Sequence, residues 1–469
     1  MKKQLIPLLV MSSFFCISCA STIQPSKGPD NPSEPSVRSN SGKDSSKKSE
    51  YSNVFTPQND TAKLLKKLPS LSNYNVNMSD QGFLSFLSKF NGFSSSFTEQ
   101  FTNTYFDSSR NDTISPLSIY FAMAQAGCCA AGETQDEVFN ALNISYSEAV
   151  QYSSSLYKAT NRVTKRGENE EVTSIEEISN SIWFEKSLKI KDSGVNTLVD
   201  SFLCEPYAAN FKQKPKEVSS KINNYITDKT RGLINPNLDL EDTVRLLIAN
   251  TLYMKDQWND YGDDLSYEGK EREFKNYDGT LSKKQFLLGN YSKGITYKSD
   301  DFSSFFSSTL NGFKIRFMVP NQGKTIDQIF NKNNILEMHN AEYVDSKHGN
   351  YETRCIFPEF EASAPDDLNL INMFKERNVR QLFVSADFSN IIEDSIEDIA
   401  VSEIKHKAKL MVDKTGVEGA AVTILVAEAT AMPWGDEPVY EDFVIDKAFG
   451  FEVSDINDIP LFTGIINKI

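Results

Sequence analysis

The sequence predicts a single large domain in which helices and strands are mixed. Once the polar N-terminal stretch up to about Tyr51 is set aside, the remaining chain is long for one compact domain, for which roughly 100–200 residues is usual. It nevertheless contains no linker-like break and no internal repeat. With 39% hydrophobic residues and 32 phenylalanines, the chain can bury a large core. These observations favour one domain with a continuous core.

The formal net charge of −15 narrows the classes of partner. Nucleic acids and other polyanions repel an acidic protein, although a local basic patch is compatible with this composition. We therefore expect partners other than nucleic acid.

The first 19 residues have the pattern of an export signal. Two lysines precede an apolar run from Leu5 to Ile17, which is too short to span a bilayer. The run Cys16-Ile-Ser-Cys19 resembles a bacterial lipoprotein box, in which Cys19 would be the lipid attachment residue. The alternative is cleavage after Ala20 and release of a soluble protein. We expect an exported protein, either a cell-surface or outer-membrane lipoprotein or a secreted one.

Residues 20–53 are predicted to be a disordered tether. Serine, proline, lysine and asparagine dominate from Ser21 to Glu50, and such a segment cannot bury enough apolar surface to fold. The globular domain is then expected over residues 54–469. A tether of this kind would suit a protein whose only contact with a membrane is a lipid anchor.

The segment Asp413–Thr430 has the alternation of a strand but lies just before a loop rich in proline and glycine. Every second residue from Val417 to Ala429 is small or apolar, whereas the other face begins with Glu418 and ends with Glu428. The first face could be buried between two strands without leaving an unpaired charge. Gly416 favours a bend at the start. The segment is either a loop able to become a strand or an ordinary edge strand followed by a turn.

Ten further blocks occur in order along the chain. They are Asn111–Ile119, Ala131–Thr134, Asn180–Phe184, Ile222–Gly232, Leu247–Trp258, Phe317–Pro320, Phe357–Phe360, Ser402–Asp413, Phe449–Phe451 and Pro460–Asn467. In order and spacing they resemble the serpins, a family of serine-protease-inhibitor-like proteins, from about Phe93 to Ile469. Two departures are Lys414, where the family often has glutamate, and Tyr225, where it has tryptophan.

This resemblance implies an α+β serpin fold, with helices around a large central β-sheet, a second β-sheet region and an exposed reactive loop. In that family a protease attacks the loop and forms its acyl-enzyme, and the cut segment inserts into the central sheet as a new strand. The implied function is a monomeric suicide-substrate inhibitor of serine or cysteine proteases. The alternative is a non-inhibitory serpin-fold binding protein at the cell surface.

The resemblance also assigns the parts of the reactive loop. Its hinge corresponds to Gly416, Val417, Glu418, Gly419, Ala420, Ala421 and Val422. The family's usual span, counted from Lys414, places the reactive bond between Thr430 and Ala431. No lysine or arginine occurs from Val417 to Tyr440, so trypsin-like enzymes are poor targets. The expected partner is an elastase-like serine protease or a papain-like cysteine protease.

A sheet-opening cluster is implied by the same resemblance. Its members are Ser115, Ser118, Asn250, Trp258 and His406. The serines, the asparagine and the histidine would form a buried polar network beneath the sheet centre, and the tryptophan would lie where insertion begins. The alternative is that the histidine and the tryptophan are ordinary core residues.

The sequence offers little support for catalysis or for a metal or other cofactor. It lacks the Gly-x-Ser-x-Gly, His-Glu-x-x-His and Gly-x-x-x-x-Gly-Lys patterns. The three histidines are scattered without pairing, so neither a metal site nor a Ser-His-Asp triad is expected. Apart from the signal and Cys19, the cysteines are too few for a disulfide framework, and we expect thiols in the core.

Overall fold

The computed structural model describes residues 60–70, 76–166, 171–258, 265–291, 296–343, 351–393, 399–401, 404, 406–418 and 439–469. The predicted signal, Cys19 and the tether lie outside these ranges. So does the segment 419–438, which contains the rest of the predicted hinge and the predicted reactive bond. Within the described ranges, no helix combines the length and the apolar character needed to cross a membrane.

Nine helices occur in the described ranges. They are α1 (Gln81–Tyr105), α2 (Pro116–Cys129), α3 (Gly132–Leu142), α4 (Tyr146–Ala159), α5 (Asp192–Phe202), α6 (Pro215–Lys229), α7 (Ile326–Ile329), α8 (Lys332–Asn340) and α9 (Leu370–Glu376). A 3-10 turn follows at Gln381–Phe383.

Twenty strands occur in the same part of the chain. They are β1 (Ala62–Leu64), β2 (Asp112–Ile114), β3 (Arg162–Arg166), β4 (Glu171–Glu185), β5 (Lys189–Ile190), β6 (Cys204–Ala209), β7 (Leu246–Gln257), β8 (Ser266–Lys275), β9 (Leu281–Tyr291), β10 (Thr296–Lys298), β11 (Phe302–Ser308), β12 (Lys314–Pro320), β13 (Tyr351–Pro358), β14 (Phe360–Ser363), β15 (Ile392–Glu393), β16 (Lys409–Val412), β17 (Gly416–Glu418), β18 (Val439–Val444), β19 (Phe449–Ser454) and β20 (Pro460–Ile466).

Fourteen strands form one large sheet, with the order β1-β6-β4-β7-β17-β16-β14-β2-β20-β19-β12-β11-β10 and with β3 paired to β4. We call the part from β1 to β14 the central sheet. Within it, β4 and β7 pair without interruption from Ser174 to Phe184. By contrast, the ladder between β14 and β2, which continues the central sheet into the rest of the large sheet, is a single residue pair, Ser363 with Asp112. A separate four-stranded sheet has the order β18-β13-β9-β8.

Both faces of the central sheet are covered. On β4, Ile182 and Phe184 lie in the main core, where α2 packs against β7. Trp183 points to the opposite face and stacks on Tyr207 beneath α6. This alternation follows from the two-residue period of a strand. Each face therefore presents a different set of side chains to anything that enters the sheet.

The helices begin where the sequence supplies a cap. The Asp80 carboxylate accepts a hydrogen bond from the Phe83 amide (2.8 Å) at the start of α1. The Ser115 hydroxyl accepts one from the Ser118 amide (3.2 Å) at the start of α2, where Pro116 occupies the first turn. Side-chain oxygens at these positions satisfy amides that have no partner within the helix. The cap on α2 fixes the backbone next to the candidate site.

The predicted α+β arrangement, with helices around a large central β-sheet and a second sheet, is confirmed. The blocks that carried the resemblance coincide with α2, β4, α6, β7 and β12. The strand pattern of Ser402–Asp413 is realised only from Lys409 to Val412, and His406 lies before the strand begins. On one side of β16, the paired part of β14 ends opposite Lys409, and on the other side β17 reaches only Met411 and Val412. Within the described chain, the earlier residues lack a ladder on which to form a strand.

The expectation of core thiols is also confirmed for the described part of the chain. Cys128, Cys129, Cys204 and Cys355 are free and buried. Burial raises the pKa of the Cys128 thiol to about 12. These thiols are therefore packing groups and not reactive ones.

Candidate functional site

The three-residue strand β17 lies between β7 and β16 and pairs with both. Gly416, Val417 and Glu418 are opposite Gln257, Asp256 and Lys255 of β7. On its other edge, β17 pairs with β16 through Met411 and Val412. The first residues of the predicted hinge are thus already part of the central sheet.

Gly416 is required by close backbone packing. A Cβ atom at this position would lie 2.0 Å from the carbonyl oxygen of Asp256, which is far inside van der Waals contact. Any other residue would push β17 away from β7. The glycine therefore permits the entry of the hinge into the sheet at this point.

Val417 and Glu418 occupy opposite faces of the sheet, as the predicted alternation requires. Val417 is 1% exposed and belongs to the main core. The Glu418 carboxylate lies on the other face, where it accepts hydrogen bonds from the Tyr253 hydroxyl (3.2 Å) and the Lys255 ammonium (3.1 Å). Burial raises the pKa of Glu418, and these two contacts oppose the rise. The charge on the hinge is thus directed away from the core.

Beyond Glu418, none of the described residues forms a strand beside this edge of β7. Among the described residues, its pairing on this side ends at Lys255, although the strand continues back to Leu246. The opening, which we call the slot, is lined by Ile248, Asn250 and His406. At its far end, a cavity of about 500 Å³ lies between the segment 236–240 and the segment 365–371. The slot therefore follows β7 from Asn250 towards Leu246.

A polar group lies at the wall of the slot. The His406 Nε2 atom accepts a hydrogen bond from the Ser115 amide (3.2 Å), and Ser118, capped by Ser115, lines the same opening. Burial, followed by the charge of Lys407, lowers the pKa of His406 to about 4. The imidazole is therefore neutral at physiological pH, which suits its role as an acceptor.

Asn250 lies on the facing side of the slot. Its amide nitrogen donates to the Asn180 side-chain oxygen, and Asn180 in turn donates to the Phe202 carbonyl (3.0 Å). The Asn250 Oδ1 atom is buried and has no hydrogen-bond partner in the described part of the chain. An unsatisfied buried oxygen is costly. It marks a place where a donor is needed.

Trp258 is separated from the other four predicted residues. It follows the end of β7 next to β17, and its indole nitrogen donates to the Asp413 carbonyl (2.7 Å). It is fully buried and makes an edge contact with Phe357. The structure thus divides the predicted cluster into a polar group at the slot and an aromatic support beside the hinge.

Four contacting residues were not predicted from the sequence. Asn180 supports Asn250, Asp256 lies under Gly416, and Tyr253 and Lys255 hold Glu418. The alternation of β7 offered a signal for Asp256, because a carboxylate on the same face as Leu252 and Met254 is unusual in a core. Its oxygens accept from Thr309 (2.5 Å) and from the Asn311 amide (2.9 Å).

Acid should destabilise the protein through His406. The histidine has a pKa of about 4 when folded and about 6.5 when unfolded, so the unfolded chain binds the extra proton and stability falls as the pH drops from 6.5 towards 4. We expect this residue to contribute a loss of about 2 kcal/mol between pH 7 and pH 5. Urea unfolding of the wild type and of His406→Gln at both pH values measures it.

The variant should lose less stability than the wild type over this interval. His339→Gln is the matched control, since it removes a histidine that does not line the slot. Equal pH dependence of the wild type and His406→Gln would contradict a neutral histidine at this position.

The geometry defines a class of protein. It is a mixed α+β protein in which the start of a hinge is paired within the central sheet, beside a slot along β7. A family model described as serpin (serine protease inhibitor) matches residues 88–469. The chain therefore belongs to the serpin family. Serpins are mostly protease inhibitors rather than catalysts, and proteases are their general targets.

Relatives in plants and animals share this similarity. Serpin-ZX of Arabidopsis thaliana is 27% identical over 373 residues, which cover 76% of this chain and 91% of that protein. A serine protease inhibitor of Mus musculus is 25% identical over 323 residues, which cover 67% of this chain and 73% of that protein. These values support the general activity of the family.

Solved structures share the fold. The thermophilic serpin tengpin in its native state has a TM-score of 0.68 at 21% identity, covering 87% of this chain and 100% of that one. The same protein in its latent state has a TM-score of 0.64 at 20% identity, covering 85% and 100%. Thyroxine-binding globulin in complex with thyroxine has a TM-score of 0.63 at 17% identity, covering 82% and 99%. At these identities the likeness concerns the fold alone.

Proposed function

We propose that this protein is a suicide-substrate inhibitor that traps its target protease by inserting its own cut loop into the central sheet. The observation that carries the proposal is β17, which pairs with β7 through three residues and with β16 through two, so that the start of the hinge already lies between them. A hinge already in place lowers the loop-closure cost of further pairing.

The chemistry belongs to the protease. Its nucleophile attacks the Thr430 carbonyl, the bond to Ala431 breaks with proton transfer to the leaving amine, and an ester or thioester joins Thr430 to the enzyme. The released segment then moves into the slot and carries the acylated enzyme with it. The absence of lysine and arginine from Val417 to Tyr440 supports an elastase-like or papain-like target.

The observed register predicts how the segment would be seated. Continuing the pairing of β17 with β7 places Ala421 opposite Leu252, Thr423 opposite Asn250 and Leu425 opposite Ile248. These residues have the same parity as Val417, so the inserted face would be small, apolar or hydroxylic. The Thr423 hydroxyl would then face the Asn250 oxygen that has no donor in the described structure.

One experiment tests the proposal directly. Purified protein is mixed with pancreatic or neutrophil elastase, and with papain in parallel, and boiled in detergent before electrophoresis. A band at the summed mass of the two proteins, less the released fragment that begins near Ala431, is expected for at least one enzyme. A loop cut by every active protease with no stable complex would overturn trapping and would favour the non-inhibitory binding protein.

A further inference from the structure

We propose that Lys255 and Tyr253 are positioning residues that hold Glu418 so that the hinge enters the sheet in one register and serves as the nucleus of insertion. This inference rests on the proposed function. It assigns the control of efficient trapping to side chains of β7, outside the loop itself.

Two side chains of β7 donate to the Glu418 carboxylate. Lys255 is directly opposite Glu418 in the ladder, and its ammonium lies 3.1 Å from one carboxylate oxygen. The Tyr253 hydroxyl donates to the other oxygen at 3.2 Å. The side chains of Lys255 and Glu418 are 23% and 14% exposed, so their pair is only partly screened by water. Two donors with fixed positions specify where Glu418 lies along β7.

Tyr253 is itself held by the segment that follows α6. The Arg231 guanidinium lies 5.2 Å from the centre of the Tyr253 ring and is paired with Glu177 on β4 at 2.7 Å. Leu233 packs against Tyr253 and Ile175 on the same face. The hydroxyl that meets Glu418 is therefore preorganised by two neighbouring elements.

Side-chain contacts are needed to fix the register because β17 is short. Three residues give few ladder hydrogen bonds, and a slip of one residue would turn Glu418 towards the core and Val417 towards the outer face. The core position opposite Val417 belongs to Asp256, whose buried carboxyl has a raised pKa. A second carboxylate there would be strongly unfavourable. The Lys255–Glu418 pair favours the register in which the uncharged face enters first.

The first test measures partition between trapping and release. We expect Lys255→Met and Glu418→Gln each to raise the stoichiometry of inhibition several-fold, while the initial rate of loop cleavage stays unchanged. The exchange Lys255→Glu with Glu418→Lys should return the stoichiometry towards that of the wild type. Lys314→Met is the matched control, because it removes the ion pair of a partly buried lysine on β12, outside the central sheet, with Asp458 at 2.8 Å. It should leave the stoichiometry unchanged.

The second test does not depend on inhibition. Amide hydrogen exchange of a peptide covering Asp413–Glu418 in the intact protein should be several-fold faster in Lys255→Met than in the wild type. It should be slow again in the double variant that carries Lys255→Glu and Glu418→Lys. If the wild type traps no protease but this difference is seen, the proposed function fails and the positioning role stands. If Lys255→Met changes neither the rate of amide hydrogen exchange nor the stoichiometry of inhibition, the positioning role is overturned.

Discussion

Val417→Glu is expected to convert the inhibitor into a substrate. Val417 is 1% exposed on the core face of β17, opposite the buried Asp256. A carboxylate placed there would lose its hydration next to a like charge, at a cost of several kcal/mol. Because about 1.4 kcal/mol corresponds to a tenfold change in partition, the stoichiometry of inhibition should rise at least tenfold. Titration of elastase with the variant measures it.

Two controls separate insertion from general damage. Val417→Ala keeps the site apolar and should retain most trapping, and Lys414→Glu adds a carboxylate at an exposed position. Both should resemble the wild type, and the Val417→Glu loop should still be cut at the normal rate. If Val417→Glu traps as well as Val417→Ala, the core face of the hinge does not enter the sheet during inhibition.

Cleavage of the loop near Thr430 should make the protein markedly more resistant to heat. The cut segment would enter the slot, pair with β7 from Met254 towards Leu246, and bury apolar side chains beside Ile248. About ten new strand hydrogen bonds at roughly 1 kcal/mol each would add on the order of 10 kcal/mol. For a domain of this size that is a rise of roughly 10 °C in the unfolding temperature. Differential scanning calorimetry before and after limited elastase cleavage measures the rise.

The control is a cleaved variant whose loop cannot insert as a strand. The cleaved Val417→Glu variant has the same broken bond, but its hinge carries a charge on the core face, so it should gain little. A cleaved wild type no more stable than the intact form would indicate a static scaffold. An ordinary cut in an exposed loop leaves stability unchanged or lowers it.

The sequence could predict much of this architecture because the signals are local. The blocks Asn180–Phe184 and Leu247–Trp258, which carried the resemblance to the family, coincide with β4 and β7, and the block Asn111–Ile119 contains the start of α2. The faces of Val417 and Glu418 also followed from parity. These features depend on neighbours in the chain, which is where single-sequence patterns carry information.

The contacts that define the site were harder to predict, since they join distant segments. Lys255 and Glu418 are 163 residues apart, and Asn180 and Asn250 are 70 apart. Nothing local in β7 shows which register β17 adopts against it. The short length of β16 was also hard to predict, because a strand requires a neighbouring strand from elsewhere in the chain. In the described part of the chain, no neighbouring strand lies beside His406.

The unequal stiffness of the central sheet has a mechanical consequence. Because β4 and β7 pair without interruption, we expect them to move as one rigid body, since sliding one past the other would break the whole ladder of hydrogen bonds. On the other side of the slot, four residues of β16 pair with β14, and the residue pair Ser363–Asp112 connects β14 to β2. We therefore expect any widening of the slot to be taken up on the side of β16 and β14, where fewer residue pairs hold the strands, while β4 and β7 move together.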